Sequence, residues 1–191
     1  MWPWGHAAVG YLLYASFTYL SDREAPSDVA TVVLAIGTQL PDLIDKPLAY
    51  SVQVLPEGRS LAHSVLFAVP LCLLVWRVAR SAEQWQAFGI GYGSHLIADS
   101  YNFILAGRFE MVTFLLWPVL PSPDYPTQSF AGHWVRLFES ITSVSINGAI
   151  RGELPGVVYQ GLLAVSIGIL WWSHGRPGTQ WAYRWLQNQV S

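Results

Sequence analysis

Six side chains in the first 105 residues of this chain can do metal or acid–base chemistry: His6, Asp42, Asp45, His63, His95 and Asp99. Apart from Asp22 and Asp28, they are every histidine and aspartate in the first 105 residues. His95 and Asp99 stand four apart inside the strongly apolar run Gly89-Ile-Gly-Tyr-Gly-Ser-His-Leu-Ile-Ala-Asp99-Ser-Tyr101. On a helix that spacing puts both on one face, about 6 Å apart along the axis, where an imidazole nitrogen and a carboxylate oxygen can bind one cation. Neither group belongs in an apolar interior unless it is paired, hydrogen-bonded or metal-bound. The alternative reading of this segment is a His–Asp hydrogen bond that pins two helices together.

The elements that must position these residues are apolar. Of 191 residues, 52% are hydrophobic and 12% charged, about half the charged share of a soluble domain. Ten Trp and nine Tyr fit the same picture, because their amphipathic rings collect at bilayer interfaces. The sequence thus predicts an all-α, multi-pass transmembrane bundle of five or six apolar segments, one domain over residues 1–191, in a cell membrane with membrane lipid around it. A formal charge of −2, with ten scattered Lys and Arg, excludes a basic nucleic-acid footprint. The single Cys72, inside an apolar segment, reads as a small buried hydrophobe. Met1-Trp-Pro-Trp-Gly-His lacks a basic leader region, so the first apolar run is expected to stay as an anchor rather than be cleaved.

Taken in order, the segments are Trp4–Leu20; Asp28–Leu40, with Ser27 as N-cap and Pro41 as its stop; Leu61–Ala79, the clearest span, with His63 and Ser64 in its first turn; and Gln84–Leu105. Lys46–Ser60 reads as a loop. Gly89, Gly91 and Gly93 are expected to let a neighbouring helix approach closely. Met111–Leu120 is too short for a clear span and reads as crossing, re-entrant or interfacial, and Pro118, Pro121, Pro123 and Pro126 prevent a helix from continuing beyond it. Trp134–Ile150 is amphipathic and fits the membrane surface. Leu154–Trp172 is the last span, and the polar tail beyond it need not be ordered.

If the first four segments cross in alternation, the start of the first, the end of the second, the start of the third and the later half of the fourth face one side. His6, Asp42, Asp45, His63, His95 and Asp99 then converge on one layer. Three imidazoles with two or three carboxylates suit a divalent transition metal, zinc foremost, better than magnesium or calcium, and the number of donors allows one or two ions. Such a site lowers the pKa of a bound water for attack on an ester or phosphoester. Asp45 is a candidate for metal binding or catalysis, Arg59 for pairing with a substrate phosphate or a lipid headgroup, and Ser64 and Ser94 for orienting ligands. His133 and His174 fall outside the set, and Lys46 reads as a surface ion pair.

Four blocks carry a resemblance: Gly5-His6 with Gly10; Leu40-Pro-Asp-Leu-Ile-Asp45; Arg59-Ser-Leu-Ala-His-Ser64; and Gly91-Tyr-Gly-Ser-His-Leu-Ile-Ala-Asp99. In this order they resemble the membrane-bound metal-dependent hydrolases, the YdjM-like proteins also described as LexA-binding and inner-membrane-associated. The match covers residues 4–105, the metal-site core, and leaves 106–191 as a variable part. Here the family's close acidic pair is spread to Asp42 and Asp45, and Ala62 stands where a Thr is usual. More distantly, the order resembles the first part of the zinc-dependent phospholipase C and S1/P1 nuclease pattern. That resemblance implies one zinc on Asp42, His63, His95 and Asp99, and a second on His6 with Asp99 bridging. The HxxxE that completes a third site there has no counterpart, since Leu137 stands four residues after His133. The resulting expectation is a membrane-bound hydrolase of an ester or phosphoester, a lipid included. Its rivals are a non-enzymatic adaptor with a structural His/Asp network and an ion transporter, the latter needing polar groups through the whole depth of the bundle.

Overall fold

The computed structural model describes residues 1–21, 24–124, 129–145, 148, 151 and 154–190. Asp22, Arg23, Pro126 and part of the 134–150 stretch lie outside them. All regular elements among the described residues are helices: α1 Pro3–Ser21, α2 Asp28–Tyr50, α3 Val65–Val78, α4 Ala82–Leu105, a 3₁₀ helix Phe109–Leu116, α5 Phe130–Thr142, α6 Gly156–Ser173 and α7 Thr179–Val190. Ser27, Ser64, Ser81 and Ser129 each cap the next helix, accepting a backbone N–H of its first turn.

Side-chain contacts fix the directions of the helices. His6 and Tyr14 of α1 meet Asp99 and the Glu83 carbonyl of α4, so these two run antiparallel. Ser27, just before α2, and Asp42 within it meet Glu83 and His95, so α2 runs parallel to α4. On α6, Gln160 accepts from the Trp2 backbone and His174, just past its end, bonds Tyr11, which makes α6 parallel to α1. Two apolar clusters fill the bundle. Tyr11, Tyr14, Ala15, Leu34, Ala87 and Ile167 form one; Ala68, Phe88, Tyr92 and Leu96, with half-buried Cys72 against them, form the other. The imidazoles and carboxylates occupy the end where α1 starts and α2 and α4 finish.

Several boundaries differ from the sequence reading. Helix α2 does not stop at Pro41 but runs through it and Pro47 to Tyr50. An internal proline costs a backbone hydrogen bond, and burial of Pro41, Asp42 and Asp45 against the bundle outweighs that cost. The loop therefore begins at Ser51, and α3 begins only after His63, which leaves that histidine on the connection and α3 at 14 residues. Among the described residues α6 alone has the length and hydropathy of a membrane span, with a mean hydropathy of 1.4. Met111–Leu120 holds the 3₁₀ helix, whose Phe114 is fully buried, and the tail is helical in α7.

Of the three glycines expected to admit a neighbour, only Gly91 does so. A Cβ there would lie 2.7 Å from the Leu34 carbonyl oxygen, and one on Gly37 of α2 would lie 2.7 Å from that of Phe88. The two backbones touch. Gly89 and Gly93 have nothing within 4 Å of a would-be Cβ. Gly91→Ala is therefore expected to destabilise the fold by about 1–3 kcal/mol through overpacking, whereas Gly93→Ala stabilises it by roughly 0.5–1 kcal/mol through helix propensity. Paired thermal melts in detergent check this contrast; equal melting points would contradict it.

Candidate metal centre

Two histidines are held by their Nδ1 atoms. His95 Nδ1 lies 2.7 Å from the Thr38 carbonyl oxygen, and His63 Nδ1 lies 2.8 Å from Asp45 Oδ2. Carbonyl and carboxylate oxygens only accept, so each Nδ1 carries a hydrogen, and in the neutral ring each Nε2 presents a lone pair. Those two Nε2 atoms face each other at 3.1 Å. Two bare acceptors at that distance repel, and either a proton on one Nε2, hydrogen-bonded to the other, or a metal ion bound by both removes the repulsion. The carboxylates complete the surroundings: Asp42 Oδ1 is 3.5 and 3.8 Å from the two Nε2 atoms, and Asp99 Oδ2 is 3.6 and 3.9 Å from them. One ligand atom from each of the four buried residues falls within 4.8 Å of the others. Metal–ligand bonds of about 2.0–2.1 Å give a tetrahedron with edges of roughly 3.3–3.4 Å, so small side-chain shifts close this group on one ion.

Asp45 stands behind His63 rather than in the group of four. Its carboxylate accepts from the backbone N–H of Ser60 and Ala62, both at 2.8 Å, and of His63 at 3.2 Å, as well as from the His63 ring. It thereby folds the 51–64 connection and fixes the ring. Tyr92, one turn before His95 on α4, pins the same connection by donating to the Ala62 carbonyl at 2.5 Å. Sequence reasoning passed over Tyr92, although its place three residues before His95 was a usable signal. The serines do other work. Ser64 caps α3 and donates to the Trp117 carbonyl at 2.6 Å, and Ser94 donates to the Gly91 carbonyl at 2.7 Å, so these carbonyls take both hydroxyl hydrogens.

His6 stacks on His95 with ring centroids 3.8 Å apart, and its Nε2 lies 3.3 Å from Asp99 Oδ1. Both His6 nitrogens and Asp42 Oδ1 are buried without a hydrogen-bond partner. Unsatisfied buried polar atoms cost about 1–3 kcal/mol each, and a bound cation could satisfy Asp42 Oδ1 and the one His6 nitrogen that carries no hydrogen. Asp99 divides its oxygens: Oδ1 faces His6 and the Met1 amine at 2.5 Å, while Oδ2 faces His63, His95 and Arg59 Nε at 2.8 Å. Lys46 pairs with Asp42 Oδ2 at 2.6 Å while remaining partly exposed, so the expected surface ion pair in fact borders the cluster.

A cavity of about 540 Å³ opens beside the group, lined among others by Asp42, Lys46, Tyr50, Arg59, His133 and Arg136. Asp42 thus belongs to both the cluster and the cavity wall. Helix α5 covers the cavity through Tyr50, which packs against Phe130 and His133, and through Trp2, which packs against His133 and Trp134. His133 faces this space instead of open solvent, and burial lowers its pKa from the ordinary value. His174 lies apart, bonded to the Tyr11 hydroxyl at 2.9 Å.

A family model described as YdjM inner membrane protein matches residues 1–177. The chain belongs to the YdjM inner membrane protein family. Comparison with curated proteins and with solved structures gave no match. Membership in YdjM makes this a membrane protein, in keeping with α6, an apolar helix long enough to cross a bilayer. The YdjM match runs through α1–α4, which carry or flank the whole buried cluster, and on through α5 and α6.

If Asp45 positions His63, Asp45→Asn weakens metal binding by roughly ten- to a hundredfold without abolishing it, as partners behind a ligand commonly do. Competition titration against a chromogenic chelator measures this, and unchanged affinity would remove Asp45 from that role.

Proposed function

We propose that this YdjM-family protein is a multi-pass membrane enzyme that hydrolyses an ester or phosphoester with a divalent transition metal, zinc by the mixture of nitrogen and oxygen donors. The observation that carries the reading is the opposed pair of His63 and His95 Nε2 atoms beside Asp42 Oδ1, which lacks a partner, at the wall of a cavity. The bound metal would supply a water of lowered pKa and a Lewis acid. His63, His95, Asp42 and Asp99 would hold it, with Asp45 and the Thr38 carbonyl fixing the two rings. His6, with Asp99 Oδ1, offers the start of a second position. Arg59, beside Asp99 and lining the cavity, would neutralise the charge that develops on a substrate oxygen. The alternating directions of α1–α4 and the outward apolar side chains of α3 and α6, Val69, Leu73, Leu74, Val165 and Ile169 among them, support several crossings.

The structural-network reading draws on the ion pairs Arg59–Asp99 and Lys46–Asp42, which neutralise two carboxylates with no metal. The transporter reading loses ground, because the buried acidic and imidazole side chains among the described residues, His6, Asp42, Asp45, Glu57, His63, His95 and Asp99, belong to the site end and the connection leading into it. Elemental analysis and ester and phosphoester assays on detergent-purified protein separate the first two. The hydrolase reading expects one or two equivalents of metal and turnover in the wild type, with both lost in His95→Ala and Asp99→Asn while each variant still inserts. Full metal occupancy in both variants, or a metal-free and inactive wild type, would overturn it.

A further inference from the structure

The cavity beneath α5 carries more information than its contact with the cluster. Lys46, Arg59 and Arg136 line it; Lys46 pairs with Asp42 and Arg59 with Asp99, so Arg136 adds a cation beyond those two balanced pairs. Arg136 is exposed to solvent on the polar face of α5. The remaining wall mixes polar Gln39, His133, Ser140 and Gln160 with apolar side chains, of which Leu43, Phe130 and Trp134 line the cavity and also face outward, Leu43 and Trp134 at 65% exposure each. The mouth is thus framed by side chains that also meet the surroundings of a membrane protein. Helix α5 continues that frame. Phe130, Trp134, Phe138 and Ile141 form an exposed apolar stripe at helical spacing, while His133, Arg136 and Ser140 turn toward the cavity. A chamber that holds Arg136 beside two ion pairs and has apolar side chains at its edge matches a molecule that is charged at one end and apolar at the other.

We propose that this cavity binds a phosphate-bearing amphiphile, its phosphate held by Lys46, Arg59 and Arg136 beside the His/Asp cluster and its apolar part lying against Leu43, Phe130 and Trp134. The inference rests on the hydrolase reading for its meaning as a substrate class, but binding can be measured without turnover. Arg136 is the residue that distinguishes it, since it touches no member of the cluster in the structure's ion pairs and sits on the surface of α5.

The test is calorimetric titration of the full-length protein in nonionic detergent with dihexanoyl phosphatidic acid, dihexanoylglycerol and inorganic phosphate, with metal counted in the same samples. Phosphatidic acid is expected to bind at one equivalent. Dihexanoylglycerol, which lacks the phosphate, and inorganic phosphate, which lacks the chains, are each expected to bind at least about tenfold more weakly. Arg136→Ala should weaken phosphatidic acid by about tenfold or more with metal content unchanged, and Arg136→Lys should recover most of the loss. Equal binding by wild type and Arg136→Ala would overturn the proposal. So would inorganic phosphate binding as tightly as the lipid, which would make this a site for free phosphate. Lipid binding by a protein that holds no metal would support the site and sink the hydrolase reading. Bound metal without lipid binding would do the reverse.

Discussion

Two imidazole rings whose Nδ1 hydrogens are already committed must point their Nε2 atoms at one another, and the rest of this bundle is built around that confrontation. The Thr38 carbonyl fixes one ring and the Asp45 carboxylate the other. Neither anchor comes from the element that carries the histidine, so the opposition exists only when α2, α4 and the 51–64 connection are assembled. The touching backbones at Gly37 and Gly91 hold α2 and α4 at the distance the Thr38–His95 bond needs. Tyr92 and Asp45 together grip the connection from both sides. A proton shared between the rings or a metal ion bound by both makes this contact stable, and the four ligand atoms within 4.8 Å of one another are a group that could hold such an ion.

The carboxylates balance that centre and link it to the outside. Asp99, on the inner side, divides its two oxygens between His6 and the pair of rings; Asp42, on the outer side, reaches both the rings and the cavity. Arg59 and Lys46 neutralise the same two residues, so the cluster is tolerable in a dry interior before any metal arrives. Both cations also line the cavity, so the same ion pairs border the cluster and the cavity wall.

Much of this was legible in the chain. The convergence of His6, Asp42, His63, His95 and Asp99 follows from apolar segments that alternate in direction, because each lies toward the same side of its segment as read from the sequence. The tie between Asp42 and Asp45 was not legible: the two lie three apart on one helix, and only the path of the connection decides which carboxylate is turned into holding backbone amides. Pro41 misled for a related reason, since a local rule about prolines does not register the tertiary contacts that carry α2 onward to Tyr50. Ser64 and Ser94 read as ligand partners by proximity in sequence, yet capping and an in-helix carbonyl claim their hydroxyls. The role of α5 was half visible. Its amphipathic pattern marked it as a surface helix, but nothing in the pattern said that its polar face would roof the cavity beside Asp42.

The most direct test of the central claim is X-ray absorption at the metal edge of purified, zinc-supplemented protein. The account predicts a first shell of nitrogen and oxygen at about 2.0–2.1 Å with the outer-shell scattering of two imidazoles, and loss of that pattern in His95→Ala. A shell without imidazole scattering, or a spectrum that His95→Ala leaves unchanged, would contradict it.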